Sequence, residues 1–109
     1  MRPSVMLAGL AVIAVPLAAL AQDNAAAVKE AFTKAHHGMM MAMDAVPPTG
    51  DPDKDFAAMM APHHQGAIEM AKIELQYGKD ENLRRMAESI IQSQEKEIAE
   101  LKAWLAAHP

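Results

Sequence analysis

The chain has 109 residues, a length that allows one small domain and excludes a multi-domain enzyme. Its formal net charge of -4 and the lack of any Lys/Arg-rich run argue against a nucleic-acid binder, so we expect no nucleic-acid partner. The absence of Cys excludes disulfides, thiolate zinc sites, iron–sulfur clusters and thiol catalysis.

Residues 1–21 have the composition of a secretory signal peptide. One positive charge precedes an apolar stretch, and a small-x-small cleavage pattern ends at Ala21. A membrane-spanning helix needs roughly 20 apolar residues, whereas this stretch is shorter and is interrupted by Gly9 and Pro16. We therefore predict cleavage after Ala21 and a periplasmic or secreted domain of residues 22–109 that has no membrane partner. An uncleaved anchor is the alternative.

The first helix is predicted over about residues 24–46, a segment rich in Ala, Met, Lys and Glu, which are good helix formers. A Pro-Pro pair follows and stops it. Asp51 is the predicted N-cap of a second helix that has Pro at its first position. This helix is expected to run to Tyr77, with Gly78 as a left-handed terminator.

The third helix is predicted from an N-cap at Asp80 to about His108. Because only residues 78–80 separate it from the second helix, the two must fold back antiparallel. Its apolar stripe at i, i+3/i+4 spacing is Leu83, Ala87, Ile90, Gln94, Ile98, Leu101 and Leu105. Charged residues expected on the opposite, solvated face are Glu95, Lys96, Glu100 and Lys102. Gln94 either bonds locally at the edge of the stripe or supports a ligand on a facing helix.

The first helix carries four Met and two His of a chain with 10 Met and 5 His. On a helix, His36, Met40 and Met43 fall on one face, because positions i, i+4 and i+7 align. His37 and Met41 form a second pair, rotated by roughly 100°. The first cluster, residues 36–43, thus presents His and Met together on two neighbouring faces.

The second helix repeats this arrangement in a second cluster, residues 59–70. Met59 and His63 share a face, and Met60 and His64 form a parallel pair one step round the helix. Pro62 lies between them and should release a backbone carbonyl and bend the axis. The bend either opens the backbone where ligands are presented or is a packing kink.

Thioether and imidazole donors without thiolate suit Cu(I), and His-rich subsets suit Cu(II). Zinc would prefer His and carboxylate, which leaves the Met unexplained. The alternative is that Met simply fills the core, and for each Met taken alone both interpretations stay open. We predict a copper site whose ligands are His36, His37, Met40, Met43, Met59, Met60, His63, His64 and Met70.

Catalysis is not indicated by any motif in the chain. No Glu has a His three residues on, as a di-iron carboxylate site in a helical bundle would require. There is no His-Glu-x-x-His motif and no glycine-rich phosphate loop among only 5 Gly. We therefore expect no enzyme.

The run from Asp55 to Ala71, with Met-Met-x-Pro-His-His-Gln-Gly-Ala at residues 59–67, resembles a known family signature. The downstream residues 90–98 and the Trp-Leu pair at 104–105 are also similar to that family. It is the family of small exported helical domains that includes CopM-type copper-binding proteins. The resemblance implies an all-α, ferritin-like antiparallel bundle, here with three long helices, placed in the periplasm or outside the cell. It also implies copper ligation by Met59, Met60, His63, His64 and Met70.

Together these observations predict a periplasmic copper-binding protein that sequesters or transfers copper in copper homeostasis or resistance. Cu(I) is favoured over Cu(II), and the expected partners are the copper ion, another copper-handling protein and a second copy of the chain. The alternative is a helical interaction or chaperone-like module whose Met-rich face binds apolar peptide segments. An enzyme that uses bound copper for redox chemistry is the weakest of the three readings, because no substrate pocket is indicated.

Overall fold

A computed structural model describes residue 4 and residues 8–109, without the side chains of residues 18–23. Three long helices make up this part of the chain: α1 (Leu17–Asp44), α2 (Pro52–Tyr77) and α3 (Glu81–Ala107). No strand occurs in the described segments, and the helices pack against one another. The prediction of an all-α domain with three long helices is confirmed.

The first helix begins earlier in the chain than the sequence predicted. It starts at Leu17 rather than near residue 24, with Pro16 in extended conformation immediately before it. The predicted cleavage after Ala21 therefore lies within the helix, and it stays a prediction. Part of the predicted signal, residues 1–3 and 5–7, lies outside the described residues. None of the helices in the described part of the chain is long and apolar enough to cross a membrane.

The connection between α1 and α2 is held by two carboxylates at the start of α2. Asp51 is the N-cap, as predicted, and its side chain accepts from two backbone N–H groups of the first turn. Asp55 accepts from the backbone N–H and the hydroxyl of Thr49, at 2.9 and 2.7 Å, and from the Gly50 N–H at 3.0 Å. Gly50 has φ 86°, which favours glycine. The loop and the helix start therefore form one hydrogen-bonded unit.

Asp55 should make the stability of the domain depend on pH. The hydrogen bonds from Thr49 hold the pKa of its carboxyl below the ordinary value of 3.8. Since the folded state has the lower pKa, the stabilisation is present above the unfolded value and is lost as pH falls through the folded value. We expect Asp55→Asn to lower the melting temperature at neutral pH, by a difference that shrinks in acid. Circular dichroism melts across pH measure this, with Asp53→Asn as a control. A pH-independent difference would contradict the assignment.

The turn between α2 and α3 is built differently from the sequence expectation. Gly78 is extended, with φ -70° and ψ 154°, so the predicted left-handed terminator is wrong. Glycine is needed there because a Cβ would overlap the side chain and carbonyl oxygen of Glu74. Arg84 donates to the carbonyls of Leu75 and Gly78, at 2.8 and 3.0 Å, and satisfies groups that the helix end leaves free. Asp80 caps α3 as predicted, accepting from a backbone N–H of its first turn.

The central helix is α2, which packs against both of the others. The buried residues are Ala57, Gly66, Ile68, Ala71 and Ile73 on α2, and Ala87 on α3. Within the described residues α1 and α3 make no close backbone contact with each other. The bundle is therefore open on the side where α1 and α3 would otherwise meet.

Candidate metal site

The first cluster meets α2 through residues that were not predicted as ligands. The groove between α1 and α2 is lined by Gly38, Met39 and Ala42 from this cluster. Met39 lies directly over Gly66, so close that a Cβ at Gly66 would overlap its side chain. The structure therefore uses Met39 for packing, as a flexible apolar side chain that fills space.

The predicted ligands of the first cluster lie outside this groove. His36 and His37 are exposed, Met40 is 41% exposed, and Met43 is half-buried. None of these four lines the groove between α1 and α2. The two predicted clusters are on neighbouring helices, and copper binding by the first cluster stays a prediction.

The same groove explains Pro62. This residue lies inside α2, and it lines the groove with Gly38, Met39 and Ala42 of α1. Met60 and His64 line the other side of α2, towards α3. Pro62 therefore belongs to the packing surface between α1 and α2, which favours the packing kink over a role in presenting ligands.

The groove between α2 and α3, which we call the His64 groove, holds one of the predicted Met/His pairs. Its volume is about 770 Å³, and Met60 and His64 line it one helical turn apart. The α3 residues that line it include Glu97 and Trp104. Because α2 and α3 are antiparallel, the predicted metal ligands Met60 and His64 of α2 lie opposite the carboxylate of Glu97 and the indole of Trp104 on α3.

His64 has the environment of a histidine prepared to ligate a metal. Its side chain is 16% exposed, and its Nε2 lies 2.5 Å from Oε2 of Glu97. Its Nδ1 is buried without a hydrogen-bond partner in the described part of the chain. When Nε2–H donates to the carboxylate, Nδ1 carries the free lone pair. Metal-binding histidines almost always donate their other N–H to such an acceptor, and an unpaired buried nitrogen otherwise costs about 1–3 kcal/mol.

The remaining predicted ligands of α2 lie on a different side of the helix. Met59 is 40% exposed, Met70 is 47% exposed, and His63 is also exposed. The rings of His63 and His64 are 6.3 Å apart between centroids and tilted by 60°. Within the described residues no three His, Asp or Glu side chains converge as a metal site. Met60 is the other predicted ligand that lines the His64 groove, and it is the candidate for a second donor there.

Glu97 is the residue of this groove that sequence reasoning missed. The prediction placed the charges of α3 on a solvated face, yet Glu97 contacts His64 and Glu100 also lines the groove. Glu100 itself is exposed, as expected for that face. Gln94, the suggested partner of a ligand, is half-buried, as at the edge of a stripe. The sequence signal that could have found Glu97 is its spacing of seven residues from both Ile90 and Trp104, which places the three on one face of α3.

Trp104 at the end of the groove is covered by the last histidine. His108 stacks on the indole with ring centroids 4.1 Å apart and an interplanar angle of 14°. Its Nδ1 lies 2.7 Å from the carbonyl oxygen of Trp104, and the residue is exposed. The only Trp of the chain therefore reports on the groove that holds His64.

A family comparison covers the whole of this architecture. Residues 16–105 match the model of DUF305, which is described as a domain of unknown function. The chain belongs to the DUF305 family. The match includes α1 and α2 completely and nearly all of α3, so the family is one of small helical domains. No curated protein matches the sequence significantly.

Within this DUF305 domain, the His64 groove combines a neutral soft donor, an imidazole nitrogen and nearby carboxylates. Soft thioethers favour Cu(I), and imidazole suits both copper oxidation states. The thioether needs no deprotonation, and Glu97 can orient the imidazole. The donor set of Met60 and His64 therefore fits copper better than it fits a hard cation such as Mg²⁺ or Ca²⁺, which takes oxygen ligands.

Proposed function

We propose that this DUF305 protein is an exported copper-binding protein that sequesters copper or passes it to another copper-handling protein. Its signal-like N-terminus supports export to an oxidising compartment, and its Met ligands, unlike thiols, could not be lost there to disulfide formation. The resemblance of residues 55–71 to CopM-type proteins supports copper as the cargo. Copper is bound and released here without a chemical reaction.

The observation that carries the proposal is the state of His64. Nδ1 of His64 is buried without a hydrogen-bond partner, in a ring that Glu97 already orients. Its lone pair is therefore available to bind a metal ion. Met60 lies one turn away in the same groove and supplies the soft second ligand. The predicted ligands His63, Met59 and Met70 are more exposed, and they suit transient binding during uptake or transfer.

The test is a competition titration with a Cu(I) chelator, using purified protein. We expect Met60→Ala/His64→Ala to weaken Cu(I) binding by about 100-fold or more, because losing ligands costs more than the 10–100-fold typical of an outer partner. Met86→Ala removes an exposed Met outside the groove and should bind like the wild type.

Two further results would decide the assignment. His36→Ala/Met40→Ala measures the contribution of the first cluster separately, since those side chains do not line the groove. If the wild-type protein fails to compete for Cu(I), the proposed function is wrong. If it competes and Met60→Ala/His64→Ala retains full affinity, the copper site lies elsewhere in the chain.

The second candidate function is an interaction module that binds apolar peptide segments. It is favoured by the exposure of Phe56, Met59 and Met70 along one side of α2. This function requires binding of apolar peptides that is indifferent to copper. A peptide-binding assay with and without added copper therefore separates the two candidates.

A further inference from the structure

One side of α2 carries large apolar side chains that neither neighbouring helix covers. Phe56, Met59, His63, Ala67 and Met70 recur at spacings of three and four residues and so form a single stripe. Phe56 is 62% exposed, Met59 40% and Met70 47%. This stripe contains three of the predicted copper ligands, Met59, His63 and Met70, but its exposure requires an explanation of its own.

The stripe continues onto both flanking helices. An apolar groove of about 290 Å³ has Ala67 and Ala71 of α2 among its lining residues, together with Phe32 of α1. On the α3 side it is bordered by Leu83 and Met86, which are 51% and 58% exposed. We call the stripe and this groove together the open face. All three helices contribute to it, since α1 and α3 flank α2 without meeting.

The area of the open face fits a dimer interface. Taking about 200 Å² for a fully exposed side chain of this size, its five most exposed apolar residues leave roughly 500 Å² in water. A standard interface buries about 800 Å² per partner, of which about 65% is apolar in homodimers, or on the order of 500 Å². Monomeric proteins rarely expose a contiguous patch of that size.

The shape of the open face is suited to a second copy of the same surface. A two-fold interface requires that projections and depressions lie on one face, so that each copy fills the other. Leu83 and Met86 project beside a depression that has the small residues Ala67 and Ala71 in its lining. Among the described residues that line this groove only Glu74 is charged, so little charge from them opposes its burial.

We infer that two copies of this chain associate through their open faces. The chain's own N-terminal segment does not cover the face, since residues 8–16 are exposed. Within the described residues of a single copy, the buried apolar core consists of Ala57, Ile68, Ala71, Ile73 and Ala87. A second copy supplies the apolar partner that this small core lacks, in a protein that has no Cys for disulfides.

The experiment is sedimentation equilibrium of the purified full-length protein, free of metal, over a range of concentrations. We expect a dimer. Leu83→Glu and Met86→Glu place a charge in the interface and should each weaken dimerisation by about 100-fold or more. Ala99→Glu adds the same charge at an exposed position of α3 outside this groove and should leave the dimer intact. Circular dichroism confirms that the variants stay helical.

A wild-type protein that stays monomeric at all concentrations would overturn the inference, and this result needs no variant to fold. An effect of Ala99→Glu equal to that of Leu83→Glu would also overturn it. Monomers that take up an apolar peptide on this face would show a different occupant. The open face includes the predicted ligands Met59, His63 and Met70. The measurement uses metal-free protein, and Leu83 and Met86 do not line the His64 groove, so its failure is distinguishable from a failure of the copper proposal.

Discussion

Replacing Glu97 by Ala is expected to weaken copper binding by about 10–100-fold, although Glu97 is not proposed as a ligand. Its Oε2 lies 2.5 Å from Nε2 of His64 and fixes which ring nitrogen carries the proton. Without this acceptor the imidazole is free to rotate or to change tautomer, and Nδ1 is no longer held ready. Glu97→Gln should lie between wild type and Glu97→Ala, because its amide oxygen can still accept the N–H but carries no charge.

The matched control is Glu100→Ala, which removes an equal charge from the same groove. Glu100 has no hydrogen bond to His64 among the described contacts, so this variant should bind copper nearly as well as wild type. The readouts are the Cu(I) dissociation constant and the quenching of Trp104 fluorescence by Cu(II). Equal losses in Glu97→Ala and Glu100→Ala would show that charge alone matters. The melting temperature of the metal-free variants separates a loss of fold from a loss of positioning.

The Met60/His64 pair could be predicted from the sequence, whereas its partner on α3, Glu97, could not. Residues four apart on a helix share a face whatever the helix packs against, so the pairing follows from local geometry. Glu97 reaches His64 only because of how α3 is rotated and aligned against α2. That alignment depends on the turn at Gly78, which is extended instead of left-handed. At this turn Arg84 donates to a backbone carbonyl of α2, and Glu74 lies against Gly78.

The first cluster shows more clearly that residue spacing alone cannot tell which side chains pack against a neighbouring helix. With Met at four of five successive positions, from Met39 to Met43, nearly every face of α1 offers a thioether. Which face meets α2 is decided by close packing, and Gly66 of α2 allows α1 to approach there. Met39, which the pattern did not select, is the side chain that lies over Gly66. The all-α class could therefore be predicted from periodicity and caps, but not which Met would be used in packing.

Replacing Gly66 by Ala is expected to destabilise the domain, although Ala is the better helix former by about 1 kcal/mol. The added Cβ would overlap three side-chain atoms of Met39, including its own Cβ, so a change of Met39 rotamer does not remove the clash. α1 must then shift, and overpacking of this kind costs about 1–3 kcal/mol. The packing term wins, and a net loss of about 1 kcal/mol lowers the melting temperature by about 4–8 °C in a domain of this size.

Gly38→Ala is the same substitution and is expected to change stability in the opposite direction, because nothing lies within 4 Å of a Cβ built there. Only helix propensity acts at this exposed position, so its melting temperature should rise by a few degrees. Met39→Ala/Gly66→Ala removes two of the three overlapping atoms and should be less destabilised than the sum of its single variants. If both glycine variants shifted stability in the same direction, Met39 would not be packed against Gly66. Since α1 is held by α2 and not by α3, this contrast measures how firmly the first His/Met cluster is held beside the second.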